Sequence, residues 1–119
     1  MGRAMSFDEF HAAALALPGA TFDVKWGASR VYSVGGKMFA TAGAEGDPAP
    51  RFSFKVSDMA YELLIEQGLA RPAPYLARAK WVQLVKAGAL GDADLGAYLR
   101  EAHRIVAEKL PKGVLAKLG

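Results

Sequence analysis

The chain has 119 residues, 52% hydrophobic and 23% charged, a length and balance that fit one domain able to bury its own core and exclude a disordered chain. It has no cysteine, which excludes a disulfide framework, a thiolate metal site and a cysteine nucleophile, and leads one to expect a reducing, cytoplasmic setting. The net charge of +3 is unevenly spread: residues 1 to 70 carry 6 Lys/Arg against 8 Asp/Glu, and residues 71 to 119 carry 9 against 4, so the basic character belongs to the C-terminal half. Such a half can attract phosphate polyanions or simply form a solvated face.

In chain order, the first element is a helix from about Phe7 to Leu17. Ser6 can cap its amides, Glu9 can reach back to the Ser6 amide, Met5 and Phe10 can form a hydrophobic staple, and Pro18-Gly19 ends it. His11 lies on the apolar stripe of this helix and reads as a partly buried structural histidine. Neither a leader in Met1 to Phe10 nor the ~18 consecutive apolar residues of a membrane span occurs, so neither export nor membrane insertion is expected.

From Thr21 to Val56 the pattern becomes short β-rich runs: Thr21 to Trp26, Arg30 to Val34, Lys37 to Thr41 and Arg51 to Val56. The spacing predicts an antiparallel meander, with Gly35-Gly36 as a tight hairpin turn. Residues Ala42 to Pro50 are rich in glycine, proline and acid and read as a loop. Arg51 to Val56 alternates, so Phe52, Phe54 and Val56 face the helices, and Arg51, Ser53 and Lys55 face the other way.

A second helix starts at Ser57 or Asp58, buries Met59, Leu63 and Leu64, and stops at Gly68. Leu69 to Tyr75, with Pro72 and Pro74, reads as an extended connector. Trp81 to Val85 reads as a fifth strand. Asp92 is taken as the N-cap of a last helix that buries Leu95, Tyr98, Leu99, Ala102, Ile105, Val106 and Leu110 and stops at Pro111. The tail from Lys112 to Gly119 reads as a final turn or a frayed end. The whole order predicts a single domain spanning 1–119, an α+β two-layer sandwich: an antiparallel sheet of about five strands packed on one side by three helices.

No catalytic or metal constellation emerges. His11 and His103 fall on separate helices, no Gly-x-Ser-x-Gly elbow occurs, and Asp92 and Asp94 are acids of a helix start. Gly35-Gly36-Lys37 lacks the spacing of a phosphate loop and leads into a strand. The expectation is therefore a binding protein rather than an enzyme, with no cofactor and no metal. What remains is aromatic residues interleaved with cations: Lys25-Trp26, Lys37 near Phe39, and Arg71 to Trp81, which contains Tyr75, Arg78 and Lys80. Cations can track phosphates while an exposed ring stacks on a base. The same spacing also fits core aromatics beside surface lysines. Strand parity places Trp81 and Gln83 on the open side of the sheet, where Arg51 and Lys55 also point.

These residues resemble the MmcQ/YjbR-like family, small bacterial proteins described as DNA-binding-like. The resemblance rests on Ala16-Leu17-Pro18-Gly19-Ala20-Thr21, Val24-Lys25-Trp26-Gly27, Tyr32-Ser33-Val34-Gly35-Gly36-Lys37-Met38-Phe39-Ala40, Ser53-Phe54-Lys55, Pro72-Ala73-Pro74-Tyr75 and Lys80-Trp81-Val82. It covers nearly the whole chain and departs from the family at Ala102-His103, near where a Ser-Tyr pair is often found. It implies a helix-strand sandwich similar to secretion chaperones. For function it implies DNA binding and carries over Lys25, Trp26, Lys37, Lys55, Tyr75, Lys80 and Trp81; with Arg71 and Arg78 from the cation-rich connector, these are the candidate nucleic-acid residues. The alternative is a non-enzymatic protein-interaction or chaperone-like module that uses the open sheet face as a homodimer. A small-molecule site would instead require a deep pocket lined by Trp26, Tyr75 and His11.

Overall fold

In the computed structural model, which describes residues 3–25, 28–44, 47 and 50–114, the first helix, α1 (Phe7–Leu15), begins at the capping box of Ser6 and Glu9. Ser6 Oγ accepts from the Glu9 amide at 3.2 Å, and the Glu9 carboxylate accepts from the Ser6 amide at 3.0 Å, so two amides that a helix start leaves unpaired are satisfied. Met5 and Phe10 both enter the core, and Phe10 stacks on Phe52 with ring centroids 4.2 Å apart. That pair fixes α1 to the sheet.

The strands follow as β1 (Ala20–Lys25), β2 (Ser29–Val34), β3 (Lys37–Ala44) and β4 (Ser53–Lys55). Helix α2 (Asp58–Glu66) and the short strand β5 (Ala70–Pro72) come next. A 3-10 turn (Ala77–Ala79), strand β6 (Trp81–Leu84) and helix α3 (Asp92–Glu108) complete the order. The sheet runs β1-β2-β3-β4-β6-β5 and every pairing is antiparallel. All three helices contribute to one core on one side of it. The fold is thus the α+β arrangement expected, with a sixth strand where the sequence reads only an extended connector. Pro72 is tolerated there because β5 is an edge strand.

Gly35 and Gly36 form the β2–β3 turn with φ of +58° and +81°, the left-handed conformations a two-residue primed turn requires. Just beyond, the register shifts between Tyr32 and Ser33, so that Ser33 pairs with Met38 and Tyr32 with Ala40. Phe39 is the extra residue of this bulge, and Phe39 and Ala40 are consequently both buried. Strict alternation does not anticipate that.

Four expectations change. Helix α2 buries only Leu64; Met59 is 80% and Leu63 45% exposed. The helix presents Ala60, Tyr61, Leu64 and Ile65 to the core instead, because its apolar residues define two overlapping stripes and the one bearing the ring of Tyr61 packs. Gly91, not Asp92, is the N-cap of α3; Asp92 is its first helical residue, and its amide donates to the Arg3 carbonyl at 2.8 Å. Strand β3 runs on to Ala44, so the loop expected from Ala42 starts later; its positions 45, 46, 48 and 49, the tail from 115 to 119, and Trp26 lie outside the described residues. Finally, Trp81 is on the predicted side of the sheet, opposite Lys55, yet only 4% exposed. The connector folds back over it: the Ala73 amide donates to the Trp81 carbonyl at 3.1 Å, and the Trp81 amide to the Leu76 carbonyl at 3.3 Å. The open face is therefore partly roofed.

Candidate functional site

At one end of the sheet, elements distant in sequence enclose a groove of about 750 Å³. The β2–β3 turn contributes Lys37, the end of β4 contributes Lys55, and the 3-10 turn and the start of β6 contribute Arg78, Lys80 and Trp81. The end of α3 contributes Lys109, and the start of α2 contributes Asp58. Five cations thus face one carboxylate among the lining residues. Antiparallel pairing explains the meeting: Lys55 and Trp81 are cross-strand partners, so the end of one strand and the start of the other lie at the same sheet margin.

The amines crowd one another. Burial, followed by the nearby Lys109 and Lys80 ammoniums, lowers the Lys55 pKa from its ordinary 10.5, and Asp58 offsets only part of this. Lys55 donates its Nζ hydrogen to the Ala79 carbonyl, which anchors the amine against the 3-10 turn. Lys80 has a left-handed backbone, φ 60° and ψ 49°, held by hydrogen bonds from its amide to the Ala77 carbonyl (3.0 Å) and from the Val56 amide to its own carbonyl (3.0 Å). Its Nζ lies 4.7 Å from the Tyr61 ring centroid. A non-glycine residue in that region is strained by about 1–3 kcal/mol, and such strain clusters at functional sites.

Of the residues singled out in sequence, Lys37, Lys55, Arg78, Lys80 and Trp81 come together here, with Trp81 as buried floor rather than as a ring free to stack. Lys25 is outside the groove, paired with Ser29 across the β1–β2 hairpin. Arg71 lies on β5, where its Nε donates to Gln83 at 3.2 Å. Tyr75 stands fully exposed on the connector beside a second hollow of about 500 Å³, which Ser53, Gln83 and Thr41 also line. Trp26 lies outside the described residues. The groove residue that sequence reasoning missed is Lys109; its only signal was its place in the basic C-terminal half.

The histidines are used structurally. His11 Nδ1 is 2.8 Å from the Tyr32 hydroxyl, whose pKa burial pushes up. His103 donates its Nε2 hydrogen to the Pro18 carbonyl at 2.6 Å. Among the described residues, no cluster of three or more His, Cys, Asp or Glu is placed to hold a metal ion, and no helix is long and apolar enough to cross a membrane.

Comparison with known proteins settles the lineage. The family model YjbR matches residues 15–105. The chain belongs to the YjbR family. The matched stretch contains every groove cation except Lys109. Among solved structures, the crystal structure of Deinococcus radiodurans protein DR2400, described as a DUF419 domain, is similar to this YjbR chain with a TM-score of 0.85 at 24% identity, covering 98% of this chain and 89% of that one. At that identity the likeness speaks for the fold. No curated protein matches the chain.

Proposed function

We propose that this YjbR protein is a non-enzymatic binding protein for nucleic acid, DNA in the first instance, and that the basic groove holds the phosphate backbone. The observation that carries this reading is the convergence of Lys37, Lys55, Arg78, Lys80 and Lys109 on one concave surface, with Asp58 the one carboxylate among its described lining residues. A protein gains nothing in stability from crowding ammoniums. A polyanion that neutralises them gains both Coulomb energy and the release of its condensed counterions.

Fluorescence anisotropy of a labelled oligonucleotide at low salt tests the reading. Binding should weaken as salt rises, with a log–log slope of up to about −4.5 on duplex DNA if all five cations meet phosphates. The double variant Lys37→Glu, Arg78→Glu should remove most of the binding and flatten the slope. Absence of binding at low salt would overturn the proposal.

A protein-interaction module working through the open sheet face, as a homodimer, finds less support. The connector covers Trp81, and Val31, Ser33 and Ser53 are already buried, so what remains for a partner is the hollow beside Tyr75 rather than an open sheet face. Concentration-dependent sedimentation of the chain alone would favour it.

A further inference from the structure

We propose that the nucleic acid taken by this groove is single-stranded, with Tyr75 as the platform on which an unpaired base stacks; the inference rests on the groove reading above. Tyr75 has a relative exposure of 104%, so its ring touches almost nothing of its own chain. Its backbone is left-handed at φ +67°, a conformation an aromatic residue adopts only when the surrounding structure imposes it. Here it is imposed: the Ala73 amide donates to Trp81 on one side, and the Leu76 amide donates back to the Ala73 carbonyl at 3.1 Å. Folding stability gives no reason to hold a large ring in water on a strained backbone.

The surroundings of the ring point to its ligand. Tyr75 and Leu76 border the second hollow, which the small polar residues Ser53, Thr41 and Gln83 also line together with Arg51 and its ion-pair partner Asp47. A third hollow, of about 350 Å³, shares the Arg51–Asp47 pair and adds the cations Arg71 and Lys86. Further along the chain, Arg78 and Lys80 open the basic groove, and five residues of chain keep Lys80 within about 18 Å of Tyr75. Cations in two adjoining hollows, unpaired among the described residues, and a free aromatic ring therefore lie near one another, the combination that holds the backbone and a base of one strand. In a duplex the bases are already stacked on one another, so only an unpaired base can lie on the ring. An aromatic anchor for a protein partner would sit among apolar, desolvated neighbours; the hollow beside Tyr75 mixes Ala73, Pro74 and Leu76 with Ser53, Thr41 and Gln83, and it is the cations of the adjoining hollows that favour a polyanion.

The test compares a labelled single-stranded oligonucleotide with its duplex on the full chain by anisotropy at low salt. Tyr75→Ala should weaken single-strand binding by about 5- to 150-fold, the range one stacked base accounts for, with Tyr75→Phe near the unaltered protein and duplex binding unmoved. Because the ring is exposed, the thermal transition of Tyr75→Ala should stay in place, which separates lost stacking from lost folding. Equal binding of both forms, insensitive to Tyr75→Ala yet abolished by Lys37→Glu with Arg78→Glu, would overturn this inference while leaving the groove reading intact. Binding of neither form, with self-association that Tyr75→Ala removes, would overturn both and assign the ring to a protein contact.

Discussion

Lys80 holds a left-handed backbone while its ammonium lies 4.7 Å from the centre of the Tyr61 ring, so one residue joins the strained start of β6 to the helix α2 beside it. Replacement separates the two effects. Lys80→Gly releases strain of about 1–3 kcal/mol, but loses a cation–π contact of about 0.5–1 kcal/mol and pays about 0.5–1 kcal/mol for glycine's unfolded freedom. The balance lies between about −1 and +2 kcal/mol, so its urea midpoint should stay close to that of the unaltered chain. Lys80→Val keeps the strained backbone and adds a β-branched side chain to it, and should lower the midpoint. Both variants should bind nucleic acid more weakly, so stability and affinity part company at this position.

The β2–β3 turn supports an ordering between two adjacent glycines. A Cβ on Gly35 would lie 2.5 Å from Leu110 Cδ1 and 3.0 Å from Val114 Cγ1, whereas a Cβ on Gly36 would meet nothing within 4 Å. Both positions need positive φ, at about 1–2 kcal/mol for an L residue. Gly36→Ala should lose about that much. Gly35→Ala should lose at least about 1 kcal/mol more, because Leu110 is buried and must move. Gly35→Ala with Leu110→Ala should be less destabilised than the sum of the single changes, a coupling readable in a double-mutant cycle of chemical unfolding.

The features legible in the sequence are those written in local chemistry: the Ser6–Glu9 box, the Gly35-Gly36 hairpin, and the alternation that turns Phe54 to the core and Lys55 away from it. Features that depend on how distant elements meet were not. The Phe39 bulge arises from pairing between strands. Which stripe α2 buries depends on what lies beneath Tyr61. Strand parity put Trp81 on the correct side of the sheet, but exposure is set by the connector that returns over it, and parity cannot see a roof. The candidate site divides in the same way. Lys37 and Lys80 were visible as cations near aromatic residues and Lys55 through strand parity and the family motif, whereas their convergence with one another and with Lys109 from the last helix is a property of the closed sheet.

The crowding around Lys55 predicts a pH signature. Burial and the neighbouring Lys109 and Lys80 charges lower its pKa in the folded chain, so the folded state releases this proton more readily than the unfolded state. Below the folded pKa both states are protonated and the penalty on the fold is fully present. As pH rises through the folded pKa towards the ordinary value, the unfolded chain holds the extra proton and the penalty is relieved. The side-chain resonance of Lys55 should titrate with a midpoint below 10.5, and Lys80→Gln should move that midpoint upward. A bound polyanion favours the ammonium, so saturating oligonucleotide should raise the midpoint as well; a midpoint indifferent to ligand would place the phosphates elsewhere.

Lys109 and Lys25 give a matched pair of controls, one inside the groove and outside the family-matched segment, the other inside that segment and outside the groove. If the groove is the contact surface, position in space decides and membership of a motif does not. Lys109→Ala should remove one phosphate contact and reduce the magnitude of the salt slope by about 0.9 on duplex DNA or about 0.7 on a single strand. Lys25→Ala, on β1 opposite Ser29, should leave the slope where it was. The comparison needs only anisotropy titrations at several salt concentrations. The reverse result, a slope sensitive to Lys25 and indifferent to Lys109, would move the contact surface from the α3 end of the sheet to the β1–β2 edge.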